Sequence, residues 1–162
     1  MERRGYRRIR FADPIKDMLR DFGLTFEQLD GALKETPSDL LCGRTPRRAM
    51  QTLGEEWGRQ LIGKDIWVKA WQRRLEEVAA FMPDVGIICD DLRYPNELDA
   101  VLRNGGTVIR VTRPDAPKVE SHSSEEHHLF SQRVLVNDGT IPDLSRKLEA
   151  ILEGLSTHQH AA

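Results

Sequence analysis

Long apolar runs are missing from this 162-residue chain. None approaches the roughly 20 residues of a membrane-spanning helix, and the opening MERRGYRRIRF lacks the apolar core of a secretory leader. The chain is therefore expected to be cytoplasmic, with no membrane partner. Cysteine is almost absent too. Cys42 and Cys89 match no C-x-x-C pattern and are expected to be two reduced thiols, which excludes a disulfide framework and a thiolate metal site. Nor does one sign of charge prevail: 24 Lys and Arg against 26 Asp and Glu leave a formal net charge of -2. That balance argues against a nucleic-acid partner. Arginine is dense only locally, at 3–10 and 44–48, which suits a small anion. No repeat or linker is visible, so a single domain is expected over 1–155, with STHQHAA at 156–162 as a disordered tail.

One motif is present only in part. Gly58-x-x-x-x-Gly63-Lys64-Asp65 differs in its last residue from the phosphate-loop pattern G-x-x-x-x-G-K-[ST], whose backbone N–H groups surround phosphates and whose hydroxyl meets magnesium. A true loop follows a buried strand, whereas these glycines follow a helical pattern, and Asp65 would repel phosphate. The stretch is expected to be a decoy, with Asp65 capping the next helix.

The remaining patterns alternate between strand and helix. YRRIRFA at 6–12 predicts a strand, and Asp13-Pro14 starts a helix with Ile15, Met18, Leu19 and Phe22 at helical spacing, stopped by Gly23. Thr25-x-x-Gln28 forms a capping box with Leu24 and Leu29 as a hydrophobic staple. Thr45-Pro46 opens a third helix, anchored by Met50, Leu53, Trp57 and Leu61, and Asp65 opens a fourth with a core stripe of Val68, Trp71, Leu75, Val78 and Met82. VGIIC at 85–89 predicts a buried parallel strand, YPNELDAVLRNGG a helix closed by glycine, TVIRVTR and RVLVND two more strands, and Leu144 to Leu155 a last helix. This order implies an α/β domain with a mostly parallel sheet, whose ligands bind beyond the carboxyl ends of the strands.

Three groups of residues could carry chemistry. Arg47, Gln51, Gly54 and Gly58 project within about 60° of one another on a helix, and each interior glycine costs about 1 kcal/mol relative to Ala. On spacing alone the face suits either a flat ligand, with Gln51 on its polar edge and Arg44 or Arg47 on a phosphate, or tight helix packing. Asp90 and Asp91 follow the VGIIC strand, where an acid could hold hydrated magnesium or simply cap a helix, and Arg93 could neutralise phosphoryl charge. SHSSEEHH places His122, Glu125, His127 and His128 in a polar loop that fits no strong zinc spacing.

Taken in order, FADPIK, GRTPRRAMQTLGEEWGR, DIWV, DDLRYPNE, VIRVTRP, HSSE and NDGT resemble the deoxynucleoside monophosphate kinases of bacteriophages and bacteria, members of the phosphate-loop kinase superfamily. The resemblance runs from about residue 5 to 152 and is most specific in GRTPRRAMQTLGEEWGR and DLRYPNE. It implies a three-layer α/β/α fold with a parallel sheet, and transfer of the terminal phosphoryl group of ATP to a deoxynucleoside monophosphate with Mg2+. It further implies that Arg44, Arg47, Gln51 and Gly54 meet the acceptor, as Asp13 and Lys16 would in FADPIK. Asp91 would sit near magnesium through water, Arg93 near the phosphates, and Arg113 and His122 in a closing lid. Small-molecule nucleotides would be the partners, with a homodimer left open.

The resemblance has one large gap. In that superfamily a central strand, the phosphate loop and a helix precede the segment corresponding to ERRGY, and no G-x-x-x-x-G-K-[ST] occurs in these residues. The expectation is a kinase-like domain lacking its central N-terminal strand, competent only in a form that carries one. The alternative is a non-catalytic nucleotide- or partner-binding relative, and a third reading is a phosphohydrolase built on Asp90, Asp91, Glu97 and the histidines.

Overall fold

Strand β1 (Tyr6–Arg8) is shorter than YRRIRFA predicts. The Ile9 amide still reaches the Ile88 carbonyl at 2.9 Å, but the next residues turn at once into helix α1 (Asp13–Asp21), with Pro14 in its first turn. The computed structural model describes residues 5–114 and 129–159, with side chains to residue 155. It divides into two compact units, Met1–Leu92 and Arg93–Ala162.

The first unit is built on local signals that act as the sequence implies. Gly23 ends the first helix region at φ +113, a conformation glycine adopts without penalty. Thr25 and Gln28 close a capping box on α2 (Phe26–Leu29), with the Thr25 amide 2.9 Å from Gln28 Oε1, and Leu24 and Leu29 are fully buried as its staple. Short 3-10 turns follow at Ala32–Glu35 and Asp39–Leu41. Thr45 caps α3 (Pro46–Thr52) by accepting from the Arg48 amide at 3.2 Å. The core joins Ile15 and Leu19 of α1 to Leu24, Leu29 and Trp67, with Met50, Leu53 and Trp57 packed against it.

Three expectations are corrected here. The third helix does not stay α-helical: it passes into a π-helix over Leu53–Ile62, and Leu61, expected as an anchor, is 76% exposed. Asp65 stands at the N-cap of α4 (Ile66–Phe81) but makes no capping side-chain hydrogen bond. On α1 the buried face is Ile15, Lys16 and Leu19, whereas Met18 and Phe22 are exposed. In α4 the deeply buried residues are Trp67 and Trp71; Trp71 stacks on Phe11 at 4.9 Å and donates to the Ile9 carbonyl at 3.3 Å. Strand β2 (Gly86–Ile88) pairs in parallel with β1, Tyr6 opposite Gly86.

In the second unit, α5 (Pro95–Arg103) leads to β3 (Ile109–Thr112), β4 (Arg133–Val136) and α6 (Ile141–Gln159). The α6 helix continues into the stretch expected as a tail. Strands β3 and β4 pair in parallel, Ile109 opposite Arg133, and Leu135 is buried while Val134 and Val136 are exposed. The chain is thus α/β, and the described strands pair in parallel, β1 with β2 in the first unit and β3 with β4 in the second.

Candidate functional site

The turn between β1 and α1 is held by two carboxylates, Asp91 and Asp13. Asp91 accepts from the Phe11 amide through Oδ1 at 3.1 Å and from the Ala12 amide through Oδ2 at 2.9 Å, and the Cys89 thiol adds a third contact to Oδ1 at 3.3 Å. A carboxylate at the start of a helix satisfies donors that have no partner inside it and opposes the positive end of the helix dipole. Asp13 turns back to accept from the Arg10 amide at 2.8 Å and from Arg10 Nε at 2.7 Å. Asp90, by contrast, forms only a half-exposed pair with Arg8 at 3.6 Å.

Beside this turn lies a charge cluster that sequence spacing did not expose. Lys16 is only 7% exposed, and its ammonium bonds to Asp30 Oδ1, which also accepts from Arg10 Nη1 at 2.9 Å. Burial alone would raise the pKa of Asp30, but hydrogen bonds from Lys16 and Arg10 outweigh it and hold the carboxyl at about 2. Burial likewise opposes the Arg10 charge, and its bonds to Asp30 and Asp13 raise its pKa above the ordinary value. Farther along α1, burial acts to raise Asp17, yet Arg74 and Arg20 together lower it. The signal for the cluster was present: a lysine between Ile15 and Leu19 on a buried helical face requires a counter-charge.

The glycine face of the third helix is occupied by protein groups. A Cβ on Gly54 would stand 3.2 Å from Ile15 Cδ1, and one on Gly58 would stand 2.3 Å from the Trp67 ring. The Gly54 carbonyl accepts from Trp67 Nε1 at 2.8 Å. Close approach is therefore required at both glycines, and α1 and α4 make it. Nearer the start of that helix, Arg47 bonds to Glu35, Gln51 is half-buried, and Arg44 lines an apolar groove of about 610 Å³ with Leu19, Phe22, Leu41, Arg48 and Trp57. The stretch Gly58 to Asp65 runs from the π-helix into a turn, so no strand precedes it and it is no phosphate loop.

In the second unit, Glu97 is 3% exposed and accepts from the Arg93 and Tyr94 amides at 2.9 and 3.1 Å, closing the start of α5. That accounts for the spacing in DLRYPNE without a metal. Arg113 is exposed at the end of β3. His122, Glu125, His127 and His128 lie outside the described residues. Among the described residues no group of three or more acids, histidines or cysteines is placed to hold a metal ion, and no helix is long and apolar enough to cross a membrane. The first unit thus gathers Asp13, Lys16 and Asp91 around one turn, with Arg47 and Gln51 on α3 and Arg44 just before its cap.

Comparison with known proteins agrees with the motif order. A family model described as deoxynucleotide monophosphate kinase matches residues 38–148. A protein of Acanthamoeba polyphaga mimivirus, provisionally named a deoxynucleotide monophosphate kinase, is 28% identical over 169 residues, covering 96% of this chain and 88% of the relative. The deoxynucleotide monophosphate kinase of Escherichia phage RB69 is 28% identical over 123 residues, covering 75% of this chain and 50% of the phage protein. The match embraces Arg44, Arg47, Gln51, Gly54, Asp91, Arg93 and Arg113, and with it the chain belongs to the deoxynucleotide monophosphate kinase family.

Proposed function

We propose that these residues form the acceptor side of a kinase that moves the terminal phosphoryl group of ATP onto a deoxynucleoside monophosphate. The observation that supports this reading is the family match over 38–148, a range that includes Arg44, Arg47 and Asp91. Arg44 and Arg47 would bind the acceptor phosphate with charge-assisted hydrogen bonds, and Gln51 the polar edge of its base. Gly54 serves this site by letting α1 approach, since Ile15 fills the space beside it. Asp13 holds the β1–α1 turn through Arg10, and it and Lys16, which is paired with Asp30, would meet the acceptor from there. Arg93, at the start of α5, would neutralise charge on the transferred group, and Arg113 and His122 would belong to the lid.

Asp91 fits an indirect contact with magnesium. Its Oδ2 accepts only one described hydrogen bond, from Ala12, and a carboxylate oxygen has a second lone pair for a metal-bound water. Magnesium, when bound, neutralises charge on the phosphates. The chain's own contribution is to fix Asp91 by the Phe11 and Ala12 amides, so that the carboxylate is oriented before ligands arrive.

No G-x-x-x-x-G-K-[ST] occurs in the 162 residues, and the groups here replace no ATP cradle. We therefore assign transfer to a form that carries such a loop, and acceptor binding alone to residues 1–162. The runner-up is a relative that binds nucleotide without chemistry. The test is magnesium-dependent ADP formation by the loop-bearing form with each common deoxynucleoside monophosphate. Turnover with at least one is expected, Arg47→Ala raising its KM about tenfold, and Asp91→Asn lowering kcat per folded molecule besides lowering stability. No ADP formation with any acceptor contradicts the reading.

A further inference from the structure

Among the described residues Lys16 is the one buried cation, and only part of its bonding capacity is used. An ammonium carries three N–H donors. Asp30 Oδ1 accepts one of them, and no other hydrogen bond or ion pair to the ammonium is made among the described residues. A buried donor without an acceptor is costly, so the two remaining N–H groups call for an oxygen brought by a ligand. The same Asp30 Oδ1 accepts from Arg10 Nη1 at 2.9 Å. Arg10 in turn holds Asp13, through Nε to Oδ1 at 2.7 Å and through its amide to Oδ2 at 2.8 Å. Asp30 itself is fixed by the core: it follows the fully buried Leu29 at the end of α2, and its amide donates to the Phe26 carbonyl at 2.7 Å.

We infer that Asp30 is a positioning residue of the acceptor site: from the end of α2 it fixes the Lys16 ammonium directly and Asp13 through Arg10, so that both are oriented before a deoxynucleoside monophosphate arrives. The inference rests on the acceptor reading proposed above and adds a residue outside the family match, which begins at 38. Its physical content is preorganisation. A free lysine side chain loses rotamer entropy when it grips a ligand, whereas one already held by a buried carboxylate has lost it on folding, and binding is stronger by that difference. A carboxylate that only neutralised Lys16 could do so from any nearby point. Positioning depends on where the oxygen lies.

The test is calorimetric titration of the 162-residue chain, Asp30→Glu, Lys16→Met and the double variant with the four common deoxynucleoside monophosphates, with thermal unfolding of each ligand-free protein measured alongside. Asp30→Glu keeps the counter-charge but moves the carboxylate by one methylene. It should unfold within a few degrees of the unaltered chain yet bind the preferred monophosphate about tenfold more weakly. In the Lys16→Met background the same substitution should weaken binding far less, because most of its effect passes through the ammonium. Asp30→Asn, which keeps an oxygen at the position without the charge, repeats the comparison should Asp30→Glu not fold. Binding by the folded Asp30 variant within twofold of the unaltered chain makes Asp30 a counter-charge only and overturns the inference, while the acceptor reading stands. An equal loss with and without Lys16 overturns it in the same way. Absence of monophosphate binding by the unaltered chain overturns both.

Discussion

At the scale of residues, charge is placed where burial makes it consequential. Asp30 serves two cations at once and is only 14% exposed in its side chain, so its carboxyl stays at about 2 where an unperturbed one lies near 3.8. A depressed acid contributes stability that is complete above the unfolded value and lost as pH falls through the folded one, here between about 3.8 and about 2. The contribution is on the order of 2 kcal/mol. Asp30→Asn should therefore flatten the loss of stability across that acid window. At neutral pH it should also destabilise the chain by roughly 3 kcal/mol, because Lys16 would remain buried without its counter-charge. Denaturant titrations of both proteins from acid to neutral pH measure the two effects together. Equal slopes in acid would remove Asp30 from the account.

At the scale of elements, the long helix after Thr45 shows where sequence reading stops. Its start was legible, because Thr45, Pro46 and the Arg48 amide are neighbours and capping is a local matter. Its conversion to a π-helix at Leu53 was not, since apolar residues at Leu53, Trp57 and Leu61 satisfy a helical pattern whether each turn has four residues or slightly more. Over that stretch the helix meets Trp67, distant in sequence, whose ring lies against Gly58 and whose Nε1 donates to the Gly54 carbonyl. Interior glycines were legible as points of close approach; what approaches them was not. Gly58→Ala forces a Cβ to within 2.3 Å of the Trp67 ring and should destabilise the chain by about 2 to 3 kcal/mol. Gly54→Ala meets only the terminal methyl of Ile15 at 3.2 Å, which can give way, and should be milder. Thermal unfolding of the pair orders them, and equal stability of Gly58→Ala and the unaltered chain would contradict the packing described.

At the scale of the whole molecule, the order of strands and helices followed from turn chemistry and apolar spacing, and all described strand pairs are parallel as that order implied. The Lys16–Asp30 pair was hidden because it joins positions with no periodic relation in sequence. The two hydrogen bonds that Asp91 accepts from the β1–α1 turn span about 80 residues and were hidden for the same reason. Function was legible through ordered motifs rather than through any one of them, and the family match begins only after the charge cluster. The central claim is that residues 44–51 present an acceptor-phosphate site. Its most direct test is titration of the isotopically labelled 162-residue chain with each deoxynucleoside monophosphate, followed by backbone amide chemical shifts. The account predicts saturable shifts for at least one of them, concentrated at Arg44, Arg47 and Gln51. No shifts with any monophosphate, or saturable shifts confined to other parts of the chain, would contradict it.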